Sequence, residues 1–332
     1  MEIPVLQAVD LTTTPHNEVS FPIDAVTSGV AWHYTNAQGF LGIVQSHRLW
    51  ASASLALNDT SEVNYGESLI KRVWRNAIKD DLLPACIEFT EHVLGFELAD
   101  FAADGLFVLS ASLDGDLLSQ WRSYAGTDGF AIGIDMSVPL SILAEPAEDW
   151  ESDGEVDVVT SPADDSALSV DPQWTRVIYD EVQQIELVIA VLRVAVGIAT
   201  YKAEVLGIPY GQGTWEADTT AVRGMMLHAA ALMKHPAFMD EREVRFLCSK
   251  KYAGDVENYR VGAGRLVPYV NVAANRDNDN RWSTDGSEPL PIVKARYGPS
   301  SDTRGLKVAA SLLERNDYVD VEIGQSQIPI AP

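Results

Sequence analysis

Apolar residues change their spacing several times along the chain, and each change marks an element. Val30 to Thr35 reads as a short strand, and Gln38 to Ser46 carries Phe40, Leu41, Ile43 and Val44 at helical spacing. Leu49 to Ser52 reads as a second strand. Leu57-Asn58-Asp59-Thr60-Ser61-Glu62 has turn and N-cap chemistry ahead of helices predicted at 63–79 and 84–98. Strands are expected at Phe107–Ser112 and Phe130–Asp135, on either side of a short helix at Leu117–Tyr124. Further on come a strand at Trp174–Tyr179, a long helix at Glu181–Leu206 and a helix at Thr219–Lys234. The last of these carries a stripe of Val222, Met225, Met226, Ala229, Leu232 and Met233, which reads as core packing. Strands follow near 243–248, 266–272 and 292–297, then a helix at 302–315 and a last strand at 318–323. Residues 1–29 show little periodicity and read as an irregular lead-in.

Short strands mixed irregularly with helices favour an α+β class: small mixed, mostly antiparallel sheets split by helices. The expected organisation is a single domain over 30–330, with an acidic loop and a helical insertion at about 145–235. Between Glu145 and Asp171 there are ten acidic residues and neither Lys nor Arg, which reads as a solvated loop. A spaced D-x-D-x-D-G calcium loop is missing from it.

Composition narrows the function classes. With 48 acidic and 24 basic residues the formal charge is −24, which repels phosphate backbones and anionic lipid surfaces. The two cysteines, Cys86 and Cys248, lack CxxC spacing, and the six histidines lack an H-x-x-x-H pair, so no metal site is expected. The most apolar stretch, Ile185 to Ala199, is interrupted by Glu186 and Arg193 and reads as a buried core helix, too short to span a bilayer. The N-terminus has neither a basic region nor a long apolar run, and a cytoplasmic protein is expected.

Three segments carry candidate chemistry. In Asp240-Glu241-Arg242-Glu243-Val244-Arg245-Phe246-Leu247-Cys248, strand alternation puts Glu241, Glu243 and Arg245 on one side, with Val244, Phe246 and Cys248 opposite. If the first side faces solvent, it is only the polar face of a half-buried strand. Trp32-His33-Tyr34-Thr35 places an imidazole among aromatics at a strand end, where a satisfied core histidine is the commoner outcome. Gln120-Trp121-Arg122-Ser123-Tyr124 puts Trp121 and Tyr124 three apart on a predicted helix, where they can stack on a flat ligand ring or cap the core.

The order of these segments carries a resemblance. H-Y-T before a helix, N-D-x-S-E at Asn58–Glu62, Q-W-R-S-Y with G-F-A-I-G-I-D at Gly129–Asp135, and F-M-D-E-R-E-V-R-F at Phe238–Phe246 together resemble the bacterial family catalogued as domain of unknown function 2971. Arg265-Leu266-Val267-Pro268-Tyr269, Tyr297-Gly298-Pro299 and Ser326-Gln327-Ile328-Pro329 extend the likeness over about 30–330. Where that family usually has a Trp before the strand Arg, this chain has Val244. The family in turn looks like a distant relative of the ADP-ribosyltransferases, which implies an ADP-ribosyltransferase-like core and NAD as substrate, without a metal. Position by position, the likeness implies His33 as the ribose-orienting residue, Tyr124 as the middle residue and Glu243 as the late-strand carboxylate, with Glu241 as its partner. Tyr34 and Trp121 are ring-stacking candidates, with Thr35 beside them, and Arg245 can pair with a carboxylate or contact a diphosphate.

The implied chemistry suits these residue types. Breaking the nicotinamide–ribose bond leaves an oxocarbenium-like sugar that a nearby carboxylate stabilises. Glu241 would serve as general base on an acceptor, for which protein or a small molecule is a better expectation than nucleic acid. A toxin or phage-defence setting fits such an activity. On this reading Glu243→Gln should stop turnover and leave stability almost unchanged. The competing expectation is a nucleotide- or protein-binding module of the same fold without turnover.

Overall fold

The computed structural model describes residues 21–54, 61–77, 79–98, 105–143, 172–249, 257–262, 264–276, 283–284, 286, 288–300 and 302–329. The acidic stretch 145–171 and most of the Leu57–Glu62 turn lie outside the described residues.

The chain is α+β, with helices on both faces of a mixed, mostly antiparallel sheet. Its first half runs β1 (Val30–Thr35), α1 (Ala37–Ser46), β2 (Leu49–Ala53), α2 (Ser61–Asn76), α3 (Pro84–Leu94) and β3 (Leu106–Ser112). A short helix α4 follows (Leu118–Gln120, widened through Trp121–Ala125), then β4 (Phe130–Asp135), β5 (Leu140–Leu143) and β6 (Gln173–Arg176). The second half holds α5 (Glu181–Thr200, continued through Tyr201–Val205), α6 (Glu216–Leu232), a tight turn at Pro236–Glu241, β7 (Glu243–Ser249), β8 (Asn258–Gly262) and β9 (Arg265–Ala274). β10 (Ser283–Thr284), β11 (Ile292–Tyr297), α7 (Arg304–Arg315) and β12 (Glu322–Gln325) complete it.

Strand β3 organises the sheet. One of its edges pairs with β7 along its whole length, from Leu106↔Ser249 to Ser112↔Glu243. The other edge pairs with β2 at Phe107 and Val108, and with β1 only at Ser112. Between these pairings Leu109, Ser110 and Ala111 have no strand partner on that edge among the described residues. The sheet therefore opens there into two arms. One runs β2–β9, with β8 and β5–β10 beside it; the other runs β1–β4–β11–β12. The strands are thus one connected network rather than several small sheets, because β3 pairs with both arms.

The two faces bury separate cores. One core joins α2, α3, α5 and α6 with Leu106, Val108 and Leu247; the other joins α1 and α7 with Phe107, Leu109, Val244 and Phe246. Each such fully buried large side chain contributes about 1.5–3 kcal/mol of transfer free energy. The helices after residue 180 thus share a core with α2 and α3. Gly66 on α2 marks a close crossing: a Cβ there would lie 2.6 Å from Ala230 Cα on α6.

Local chemistry explains several boundaries. Asn36 Oδ1 accepts from Gly39 N at 2.9 Å to start α1, and His47, at φ 56°, ends it in the left-handed region. The wide turn closing α4 has Gly126 N donating to Trp121 O at 2.6 Å. That extra residue per turn separates Trp121 from Tyr124, which an ordinary helix would have put on one face. Over Glu181–Val205, α5 ends within one residue of its predicted bounds; by length and composition it is apolar enough to cross a membrane, contrary to the expectation of a stretch too short for that. Here it is a core helix, with Leu187, Val188, Val191, Leu192 and Ala195 buried.

The lead-in is not wholly irregular. Ala25 bridges to Thr175, Val26 N donates to Trp174 O at 2.8 Å, and Phe21 enters the helical core. The strand expected over 318–323 lies instead at Glu322–Gln325, because Asp317, at φ 65°, and a turn occupy the preceding residues. Strands β5, β8 and β10 are additions to the sequence reading.

Candidate functional site

The opening between the two arms is lined by residues from both and forms a cavity of about 1030 Å³. His33, Tyr34 and Thr35 line it from β1, Ser110 and Ala111 from the unpaired stretch of β3, and Glu243 and Arg245 from β7. Glu241, Lys234 and Tyr124 line it as well, together with Arg48, Trp50, Arg260 and Tyr269 on the β2–β9–β8 arm.

At the β7 side lies a buried ionic cluster. Arg245 Nε donates to Glu243 Oε1 at 2.7 Å and Nη2 to Oε2 at 3.1 Å, a two-point grip from the same strand face. Arg245 Nη1 donates to Ala231 O of α6 at 2.6 Å, and the residue is only 1% exposed. Three of its N–H groups are thus engaged within the protein, and it reaches the cavity wall already paired with a carboxylate. Lys234 Nζ sits between the two carboxylates, 2.6 Å from Glu241 Oε2 and 2.9 Å from Glu243 Oε2.

Burial pushes the Glu243 carboxyl up, but the adjacent Arg245 and Lys234 charges outweigh it and hold the pKa down at about 2. Tyr179, whose hydroxyl accepts from Glu243 N at 3.1 Å, is pushed up to about 12 by burial. Glu241 does not belong to strand β7. It ends the preceding tight turn, and Arg242, at φ 49°, swings the chain into the strand. Glu243 and Arg245 do share a face, as the alternation predicts, and that face is covered by α6, not by solvent.

His33 reaches the cavity differently. Ser112 pairs with both Trp32 and Glu243, so these two side chains lie on one face of the sheet and His33, one residue on, belongs to the other. His33 and Glu243 meet in one cavity because the sheet is open between β1 and β2. His33 Nδ1 lies 3.2 Å from Ser110 O. A carbonyl can only accept, so Nδ1 carries the proton and Nε2 is a bare acceptor. Burial lowers the His33 pKa, the Ser110 bond opposes this, and the Arg260 charge lowers it further, so the ring is neutral.

The aromatic candidates separate. Tyr124 is 43% exposed and lines the cavity. Trp121 does not line it: at 1% exposure it packs edge-on against Tyr34, with ring centroids 4.9 Å apart, and its Nε1 donates to Asp116 Oδ1. No face of that indole is open for a ligand ring. Tyr34 touches the cavity, but its hydroxyl donates to Asp114 O at 2.8 Å and accepts from Leu117 N at 2.9 Å, and burial raises its pKa. Thr35 lies against Gly39, where a Cβ would collide with its Oγ1.

Sequence reading missed the rest of the wall. Lys234 was expected in a helix, yet it follows the end of α6, its backbone fixed by N–H donation to Ile178 O and by Gln184 Nε2 on its carbonyl. Arg48, Trp50 and Arg260 carried no local signal, because only the β8–β9–β2 pairing brings them together. Four cationic side chains (Arg48, Lys234, Arg245, Arg260) and two carboxylates line the cavity; Lys234 holds both carboxylates and Arg245 holds Glu243. A protein of net charge −24 thus presents a cavity with excess positive charge, which suits an anionic ligand. Among the described residues no three His, Cys, Asp or Glu side chains are grouped to hold a metal ion.

No curated protein matches the chain, and no solved structure does. Residues 120–246, which carry Tyr124, Lys234, Glu241, Glu243 and Arg245 but not His33, match the family described as protein of unknown function (DUF2971), and this stretch is similar to that family.

Proposed function

We propose that the cavity binds NAD and that the protein is an ADP-ribosyltransferase-like enzyme, passing ADP-ribose to a protein or small-molecule acceptor or to water. One observation carries the reading: a neutral imidazole with an acceptor nitrogen and a carboxylate ionised at neutral pH line the same cavity of about 1030 Å³, ample for a dinucleotide. In this reading His33 Nε2 accepts from a ribose hydroxyl and fixes the sugar. The bond between ribose C1′ and the nicotinamide nitrogen breaks, its electron pair leaves with nicotinamide, and the Glu243 carboxylate faces the positive charge on the sugar. Glu241, the more exposed of the two carboxylates, takes the proton from the acceptor nucleophile.

A second reading, a nucleotide-binding module without turnover, is favoured by the saturation of Glu243. Both of its oxygens accept hydrogen bonds from cations, which reduces the negative potential left for a sugar cation. Nicotinamide release from NAD separates the two. Release by the wild type that drops about tenfold or more in Glu241→Gln and His33→Asn supports the enzyme. Binding without release leaves the module, and the absence of binding ends both.

A further inference from the structure

On the β2–β9–β8 arm the cavity wall has a composition of its own. Cross-strand pairs Trp50↔Asn271, Ser52↔Tyr269, Asn258↔Tyr269 and Arg260↔Val267 put Trp50, Ser52, Tyr269, Asn271 and Arg260 on one sheet face. Trp50 and Tyr269 pack with ring centroids 4.7 Å apart, yet Trp50 keeps 51% of its surface exposed. The Arg260 guanidinium lies 5.9 Å from the Trp50 ring centre and donates from Nη2 to Ser52 Oγ at 2.9 Å, which aims it across β9. Arg48 enters the same wall two residues before Trp50.

Neither arginine forms an ion pair among the described residues, and the Nε of each is buried without a hydrogen-bond partner. A buried donor on a charged group that lacks an acceptor is destabilising. Two such cations converge on one cavity, although the chain has twice as many acidic as basic residues to neutralise them. The pair is unmet charge facing an open volume, beside a half-exposed indole.

We infer that Arg48 and Arg260 form a phosphate subsite and that Trp50 is the stacking platform of the ring attached to it: the cavity takes a nucleoside diphosphate group, with its base toward the β8–β9 hairpin and its phosphates between the two guanidinium groups. The inference rests on the reading of the cavity as a dinucleotide site and names the end at which the phosphates bind, about which the roles of His33 and Glu243 say nothing. Phosphate oxygens would accept from the outer guanidinium nitrogens and supply the counter-charge that both arginines lack among the described residues. The flat indole would accept any base by its face, with Arg260 lying over the same platform.

Titration calorimetry of the full chain with ADP, adenosine and inorganic pyrophosphate tests this, on wild type, Arg48→Gln, Arg260→Gln, Trp50→Ala and, as a control, Arg304→Gln, whose side chain is 88% exposed. The expected result is that ADP binds about tenfold or more tightly than adenosine, and that Arg48→Gln and Arg260→Gln each weaken ADP about tenfold to a hundredfold while sparing adenosine. Trp50→Ala should weaken ADP and adenosine alike and leave pyrophosphate unchanged. Arg304→Gln should change nothing. Equal affinity for ADP and adenosine, no detectable ADP binding, or ADP affinity unaltered in both arginine variants overturns the inference. ADP binding that depends on the arginines, without nicotinamide release from NAD, upholds the subsite and refutes the enzyme. Nicotinamide release that survives with ADP binding indifferent to the arginines does the reverse.

Discussion

Arg245 holds both oxygens of Glu243 from two positions along the same strand, at 2.7 and 3.1 Å, with 1% of the arginine and 7% of the glutamate exposed. This pair makes the late-strand carboxylate a structural member of the protein as well as a candidate catalytic one. Removing one partner of a buried pair strands the other, at a cost of about 3–5 kcal/mol. Glu243→Gln should therefore lose stability by about that amount in chemical denaturation, contrary to the expectation drawn from the sequence. A loss below about 1 kcal/mol would mean that the cluster opens to solvent at little cost.

The same carboxylate sets an acid limit. Its folded pKa, about 2, is depressed from 4.5, so its stabilising contribution is complete above pH 4.5 and is lost as the pH falls toward 2. The span corresponds to roughly 3 kcal/mol. Denaturation midpoints for the wild type should fall over this window, and the decline should be shallower in Glu243→Gln. Parallel declines would place the acid sensitivity elsewhere.

His228 on α6 acts in a higher window. Burial lowers its pKa from 6.5 to about 4, its Nδ1 donates to Gly224 O at 2.8 Å, and Nε2 has no partner among the described residues. The unfolded chain takes up the proton first, so stability falls as the pH drops from 6.5 toward 4, by roughly 3 kcal/mol. His228→Leu has no such proton to bind, and its stability should stay flatter across that interval. If the two proteins show the same slope, the ring is more accessible than its surroundings imply.

Gly66 tests the helical layer. In a free helix alanine would be favoured over glycine by about 1 kcal/mol. Here the added methyl would meet the Ala230 backbone, which has no side-chain rotation with which to yield. Overpacking of this kind costs about 1–3 kcal/mol, so Gly66→Ala should lower the melting temperature. A stabilised variant would show that α2 and α6 can separate without penalty.

His33 carries a prediction tied to the proposed function. With Nδ1 donating to Ser110 O and the pKa below 6.5, Nε2 stays an acceptor across neutral pH. NAD affinity should be level from pH 8 to 6.5 and decline only below that, as protonation converts the acceptor to a donor. His33→Ala should bind NAD about tenfold more weakly and remove the acid decline. An unchanged dissociation constant would take His33 out of the site.

The amino-acid pattern alone determined most of the elements, because helix and strand periodicities are local properties of neighbouring residues. Strands β1, β3, β4, β7 and β11 and helices α1, α3, α5 and α6 lie within a few residues of their predicted positions. The pairing of Glu243 with Arg245 on one face was legible for the same reason: alternation needs only two residues of strand. Which element covers that face was not, since α6 reaches it from another part of the chain. Lys234, Arg48 and Arg260 were likewise invisible as a group, because their proximity is created by β3 pairing with two diverging arms and by β8 folding onto β9. Tertiary structure alone decided that Trp121 is enclosed while Tyr124 is open, through a wide turn whose extra residue no hydrophobic pattern signals. Local spacing specifies what each segment can become; charge neutralisation and cavity formation depend on contacts between distant segments, and those exist only once the sheet has closed around them.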